Sequence, residues 1–135
     1  MNARPVISLE KYIIEELNFK HDLIPEELES ESEFKIDFQA GTTEDLKNGK
    51  VILTAKISDV KNHRRIEAKL SGYFDINIKE DIEEYLVVNG TAILFPYLRS
   101  VVSMITSLDS SDAIVIPTVN VLELINRQKE QEERE

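Results

Sequence analysis

The side chains in this sequence that could act in catalysis or metal binding are few and scattered. Its two histidines, His21 and His63, lie in neither a serine-centred turn nor a His-Glu zinc motif. Adjacent glutamates such as Glu15 and Glu16 point to different sides of a strand or helix, so they do not form an acid/base pair. The sequence has no cysteine and only four glycines, which excludes thiol chemistry and argues against a glycine-rich phosphate loop. We therefore expect solvated histidines, no enzymatic activity, no cofactor and no metal site.

The charge of the chain limits its partners. It has 26 acidic and 16 basic residues, which gives a net charge of −10 at pH 7. A nucleic-acid partner would require a basic face, so we do not expect one. The acidity fits simple solubility or a basic partner surface, and the sequence leaves both interpretations open.

Length and hydropathy predict a single cytoplasmic domain over residues 1–135. The N-terminal residues reach acidic side chains before a long apolar core forms, so a signal peptide is not expected. A run of about 18 apolar residues is also missing, which predicts that the chain does not insert into a membrane.

Alternating hydrophobicity predicts four strands. Residues 64–78 alternate most regularly, with apolar side chains on even positions and Gly72 in the same register, where we expect a kink or a close backbone approach. Residues 34–38 and 51–57 alternate as well. Residues 6–20 alternate with a shift of phase that indicates a bulge.

A long helix is predicted after the turn dipeptide Asn89-Gly90. Pro96 is unfavourable inside a helix, so we expect the regular helix to begin near Phe95-Pro96. Its apolar stripe follows steps of three and four residues: Leu94, Tyr97, Leu98, Val101, Ile105 and Leu108. Further apolar residues lie off this stripe, which indicates a second packing partner, such as another subunit.

A shorter helix is predicted at the C-terminus, with Asn120 as its N-cap. From Asn126 onward it is polar and is expected to project into solvent. Strands followed by helices indicate an α+β fold: a four-stranded antiparallel sheet with a long and a shorter C-terminal helix packed on one face.

Two apolar stretches, one predicted strand and the last predicted helix, bear on the function of the protein. The strand with Phe34, Ile36 and Phe38 is unusually aromatic, and the last helix is apolar on about one side. These residues could be ordinary core. Alternatively, they could line a long apolar groove that holds an extended, unfolded segment through many weak contacts.

The run TAILFPYLRSVVSMIT (residues 91–106), followed by IPTVNV (residues 116–121), resembles the SecB family of protein-export chaperones. In that family an ILFPYAR-like run opens the long helix and a PVNF-like run opens the C-terminal helix. The resemblance implies an ATP-independent holdase that binds unfolded preproteins and delivers them to the SecA motor. It also implies the sheet-and-two-helix fold and a homotetramer built as a dimer of dimers.

The resemblance also implies which residues bind each partner. It places the long helix at the oligomer interface, through Tyr97, Leu98, Val101, Val102 and Ile105. It places the client-binding groove at Phe34, Ile36, Phe38, Val121, Leu124 and Ile125. SecA contacts would be Glu16 and Glu67.

The sequence departs from the family pattern at the SecA contacts and in the last helix. Lys20 replaces an acidic residue, Arg65 replaces an apolar one, and Val121 replaces an aromatic one. Two alternatives therefore stay open: a SecB-like chaperone of a toxin–antitoxin system, and an acidic oligomeric scaffold without client activity.

Overall fold

The four strands form one antiparallel sheet in the order β1-β4-β3-β2. The computed structural model describes residues 5–27, 33–109, 112–116 and 121–134. The strand bounds are as follows: β1 Ile7–Lys20, β2 Glu33–Thr42, β3 Asn48–Asp59 and β4 Arg64–Ile76. The predicted fold class is confirmed, and because β2 pairs only with β3, it lies at one edge of the sheet.

The core lies on the face of the sheet that carries the helices. The even positions of β4 that were predicted to point inward are buried, and Leu70 pairs with Leu53 of β3 in the sheet centre. The opposite face of the sheet, called the outer face here, carries the odd positions of β4, such as Glu67 and Lys69. This alternation is what an antiparallel sheet with one packed and one solvated face requires.

β1 contains two bulges, whereas its shift of phase predicted a single bulge or bend. Its pairing with β4 is interrupted between Leu9 and Lys11 and again between Ile14 and Glu16, so one extra residue is inserted at each place. Each extra residue restores the inward register for the apolar side chains that follow it.

A helical segment runs from residue 82 to residue 107 without a break. It comprises a short helix α1 (Ile82–Tyr85), one wide π turn (Leu86–Gly90) and the long helix α2 (Thr91–Ser107). The prediction that the helix begins near Phe95-Pro96 is therefore wrong, since Pro96 lies inside α2. A proline there costs about 3 kcal/mol. Burial of the neighbouring Leu94 and Leu98 offsets that cost, because each buried leucine contributes about 1.5–3 kcal/mol.

Two glycines allow the helical segment to lie close to the sheet. A Cβ on Gly72 of β4 would lie 3.2 Å from Leu94 Cδ1, which confirms the close approach expected there. A Cβ on Gly90 would lie only 2.8 Å from Val51 Cγ2. Gly90 has a helical φ of −62°, so this glycine serves the close packing of helix on sheet rather than a turn.

The predicted apolar stripe of α2 divides into two faces. The buried face contains Thr91, Leu94, Phe95, Leu98, Val102 and Thr106. The other members of the predicted stripe lie off this face, and Tyr97 is 37% exposed. By length and composition the segment from Ile82 to Ser107 could cross a membrane, but its inner face forms the core of this domain, which accounts for its apolar character.

The last helix, α3, spans Val121–Arg134 and approaches β2 at the sheet edge. A connector, residues 112–116, leads toward it with Ile116 buried. The predicted N-cap, Asn120, lies outside the described residues.

Candidate functional site

On the side that faces the helices, the edge strand β2 carries apolar side chains, some buried and some exposed. Phe34, Ile36 and Phe38 share this side of the strand, as their two-residue spacing predicted. Ile36 is buried in the core, Phe38 is partly buried, and Phe34 keeps 39% of its surface exposed. Two aromatic side chains therefore remain accessible at a sheet edge, on either side of a core residue.

α3 is attached to this edge through a side-chain amide. The backbone N–H of Phe38 donates to Gln128 Oε1 at 3.0 Å, and Gln128 Nε2 donates to the Phe38 carbonyl at 2.9 Å. Ile125, one turn earlier on the same face of α3, is buried, and Leu124 is partly buried against the core. The expectation that α3 is solvated from Asn126 onward is thus wrong at Gln128, whose spacing of three from Ile125 was the available signal.

Two cavities lie along β2 on either side of Ile36. The first, of about 400 Å³, is lined by Phe34 together with Ile57 and residues 112–116 of the connector. The second, of about 1070 Å³, lies between Phe38, α1 and Ile125. Acidic side chains of residues 81–84 are part of the lining of the second cavity. We call the surface formed by Phe34, Phe38, Ile125 and these two cavities the β2–α3 groove.

Polar side chains fix the connector that borders the first cavity. Arg99 Nε donates to the carbonyl of Ile116 at 3.0 Å, and the N–H of Ile114 donates to Thr106 Oγ1 at 2.8 Å. Arg64 donates from Nη2 to the carbonyl of Asp112. The wall of the groove on this side is therefore held by α2 and by the start of β4.

Arg64 is the centre of a buried charged cluster that the sequence reasoning missed. Its side chain is 1% exposed, with Nε 2.9 Å from Asp59 Oδ2 and Nη1 3.5 Å from Asp109 Oδ2. His21 is exposed, as predicted, but its Nε2 also lies 2.9 Å from the same Asp109 oxygen, a contact that the sequence did not indicate. Arg64 occupies an even position of β4, and the even positions point inward. This was the signal available in the sequence.

The electrostatics of this cluster favour the charged carboxylate of Asp59. Partial burial acts to raise the pKa of Asp59, but hydrogen bonds from Asn62 and Arg64 outweigh it and hold that pKa below its ordinary value. Asp59 therefore stays ionised beside the buried guanidinium of Arg64.

The residues predicted for client binding fall into three groups. Phe34, Phe38 and Leu124 reach the surface in part, whereas Ile36 and Ile125 are buried in this conformation. Val121 is the first residue of α3, and its side chain lies outside the described residues. The structure thus places the described members of the predicted groove on β2 and α3, two elements that contact each other.

The predicted SecA contacts lie on the outer face of the sheet, among basic residues. Glu16 pairs with Lys69 across the β1–β4 ladder, and Glu67 is flanked by Asn18 and Lys56. Lys20 and Arg65, the two residues that differ from the family pattern here, lie opposite each other further along the same ladder. This part of the outer face therefore carries charges of both signs.

The predicted oligomer interface needs a correction. Leu98 and Val102 are fully buried in the core of their own subunit, because they belong to the inner face of α2. Tyr97 is exposed in part and stacks on Tyr12 of β1 with ring centroids 4.2 Å apart. Val101 and Ile105 are partly buried.

Tyr97 lies beside exposed apolar side chains of β1. Tyr12, Ile14 and Leu17 of β1 have the inward register, yet 37–50% of each remains exposed, since the stacked ring of Tyr97 covers Tyr12 only in part. Together with Tyr97 they form a surface on the helix-bearing side at the β1 edge, opposite the β2–α3 groove.

The lining of the groove is suited to non-covalent binding. Among the described residues, no group of three or more histidine, aspartate or glutamate side chains is arranged to hold a metal ion. The groove offers apolar walls, the edge of a sheet and acidic side chains in its lining, a combination typical of polypeptide recognition.

Residues 1–132 match the family profile described as preprotein translocase subunit SecB. The chain belongs to the SecB family. Family membership confirms the resemblance carried by residues 91–106 and 116–121. It also supports a chaperone role, in a family that is not enzymatic.

The relatives agree with this assignment. An uncharacterized protein of Methanocaldococcus jannaschii is 29% identical over 133 residues, which cover 90% of this chain and 84% of that protein. A SecB-like chaperone of Mycobacterium tuberculosis, solved in complex with a ChAD peptide from the HigA1 antitoxin, is similar with a TM-score of 0.62 at 12% identity. The match covers 84% of this chain and 90% of that one.

A second solved structure, a protein of unknown function from Streptococcus agalactiae, has a TM-score of 0.55 at 16% identity. The match covers 83% of this chain and 97% of that one. At these identities both structures establish the shared fold alone.

Proposed function

We propose that this protein is an ATP-independent cytoplasmic holdase that binds extended segments of non-native polypeptides in the β2–α3 groove. The observation that carries the proposal is the edge strand β2, with Phe34 and Phe38 accessible beside two cavities. The similar chaperone of Mycobacterium tuberculosis is bound to a peptide, which supports a peptide client here. Apolar contacts would supply most of the affinity without strong sequence preference, because hydrophobic burial is non-directional.

The destination of the client is the finer part of the proposal. Delivery of preproteins to SecA would use Glu16 and Glu67 on the outer face of the sheet. The basic neighbours Lys56 and Lys69 beside these glutamates weaken an acidic docking surface. This observation favours a second candidate, a chaperone that protects an antitoxin, which the peptide-bound neighbour also supports.

A homo-oligomer, arranged as a dimer of dimers, is part of the same proposal. The apolar patch of Tyr12, Ile14, Leu17 and Tyr97 is exposed in the single subunit, and contact with a second copy of the chain would bury it. Because this patch lies at the sheet edge away from β2, assembly through it would leave the β2–α3 groove open.

The test is an aggregation assay without nucleotide. At stoichiometric amounts the protein is expected to keep a slowly folding, chemically unfolded protein from aggregating, as measured by light scattering. Phe34→Asp should weaken this suppression, whereas Thr54→Asp, which adds the same charge on the outer face, should leave it unchanged. No suppression by a folded, oligomeric wild-type protein would refute the holdase and favour the acidic scaffold.

A second assay, read together with the first, distinguishes the two proposed destinations of the client. Binding of purified SecA to the chaperone, measured by calorimetry and abolished by Glu67→Lys, would support export. Suppression without SecA binding would support the antitoxin role.

A further inference from the structure

The contact between Gln128 and Phe38 has the form of a strand pairing. In an antiparallel ladder, a hydrogen-bonded pair of residues exchanges two bonds, each residue giving its N–H to the carbonyl of the other. The carboxamide of Gln128 makes the same exchange with Phe38, at 3.0 Å and 2.9 Å. A side-chain amide therefore stands where the peptide group of a fifth strand would lie.

The direction of these bonds shows which groups of β2 face outward. Since the N–H and carbonyl of Phe38 point away from β3, the two-residue repeat of the strand turns those of Ile36 and Ala40 outward as well. The described residues place no hydrogen bond on the outward groups of Ile36 and Ala40, so the edge is occupied at Phe38 and open at its neighbours.

The attachment of α3 to the sheet edge is small. Among its described side chains, Leu124, Ile125 and Gln128 are the ones withdrawn from solvent, and the others are exposed. Ile125 and Gln128 border the second cavity beside Phe38. An extended polypeptide could pair with Ile36, Phe38 and Ala40 in sequence, which would offer more hydrogen bonds than the single amide of Gln128.

We propose that the Gln128 carboxamide occupies the client's place on β2 in the empty protein and is displaced when an extended client segment pairs with β2 as an added strand. The partner is defined by its chemistry: a polypeptide in β conformation whose backbone amides are free. Gln128 thus sets the affinity for clients by competition, and it keeps the open edge from pairing with unsuitable chains. This inference rests on the proposed function and adds the backbone register of the client and its intramolecular competitor.

The first measurement is the affinity for a permanently unfolded probe, reduced and alkylated α-lactalbumin, by fluorescence anisotropy. Gln128→Ala removes the competing amide and should tighten binding by about five- to hundredfold, the range that corresponds to the loss of two hydrogen bonds of ordinary net strength. Asn126→Ala is the matched control, since it removes an exposed carboxamide of α3 that lines the same cavity. It should bind as the wild type does.

The second measurement is amide hydrogen exchange by NMR, which reports on the strand edge directly. In the free wild type the amide of Phe38 should be protected, and in free Gln128→Ala it should exchange rapidly. The amide of Asp37, which points toward β3, should stay protected in both proteins and so shows that the sheet is intact. Addition of the probe to Gln128→Ala should protect Phe38 and Ile36 together.

The outcomes separate this inference from the function on which it rests. If neither protein binds the probe, the holdase function fails and the inference fails with it. If the wild type binds and Gln128→Ala binds equally or more weakly, the function stands and the inference is wrong. It is also wrong if Asn126→Ala tightens binding as much, or if Phe38 and Ile36 stay unprotected in the complex.

Discussion

Arg64→Ala should destabilise the protein far more than the same change at the next residue. The Arg64 side chain is 1% exposed and pairs with Asp59 and Asp109, so its removal leaves two carboxylates without their buried cation. Loss of one partner of a buried ion pair costs about 3–5 kcal/mol. For a domain of this size, each kcal/mol corresponds to roughly 3–5 °C in Tm, so Tm should fall by about 10–25 °C.

The control for this prediction is Arg65→Ala. Arg65 lies on the outer face, and its Nη1 donates an exposed hydrogen bond to the carbonyl of Glu27 at 3.0 Å. Removal of an exposed polar contact should cost at most about 1 kcal/mol. Urea unfolding followed by circular dichroism gives both free energies of unfolding under the same conditions.

A second variant separates charge from packing. Arg64→Met keeps much of the apolar stem but removes the positive charge, so it should lose most of the stability that Arg64→Ala loses. If Arg64→Met is as stable as the wild type, the cluster acts through volume alone and the electrostatic reasoning is wrong. If Arg64→Ala and Arg65→Ala differ by less than about 1 kcal/mol, burial of the guanidinium contributes little.

Three other predictions test the interface, the groove and the charged cluster. Leu98→Ala should lower the free energy of unfolding by about 2–5 kcal/mol, because it opens a cavity in the core. Tyr97→Asp should instead lower the mass measured by light scattering while the subunit stays folded, and the reverse pattern would contradict the division of α2 into two faces. Phe38→Asp should weaken client binding at least tenfold and leave the oligomer mass unchanged. A dissociated oligomer with normal client binding would show that Phe38 belongs to the oligomer interface instead of the groove. Because the pKa of Asp59 lies below its ordinary value, its stabilising effect should be complete above about pH 4 and be lost as pH falls through the folded-state pKa. Asp59→Asn should flatten this acid limb of the stability curve, and a limb identical to that of the wild type would show that other groups cause it.

The sequence by itself determined the features that depend on short-range periodicity. The alternation of residues 64–78 set the inward face of β4, and Gly72 marked where the helix approaches the sheet. The shift of phase in residues 6–20 indicated a bulge in β1, where the structure has two. The order of strands and helices was sufficient for the fold class, and the run around Pro96 was sufficient for the family. These inferences succeed because a strand or helix imposes its repeat on the chain locally.

Only the tertiary structure decided which of two apolar stripes on α2 faces the core. Leu98 and Tyr97 have equally suitable spacing, and the sheet selects Leu98 because Gly72 and Gly90 bring that side of the helix close. Likewise, the helix continues through Pro96 because burial of its neighbours outweighs one lost hydrogen bond. Local propensity alone could not weigh these two effects.

The β2–α3 groove and the charged cluster around Arg64 were also decided by the tertiary structure. Gln128 bonds to Phe38, 90 residues earlier, and Arg64 donates to the connector 48 residues later. Contacts at such separations depend on where two elements meet after folding, which no local pattern encodes. The types of the residues at the site were thus visible in the sequence, whereas their partners were set by the packing of α3 and the connector against the sheet.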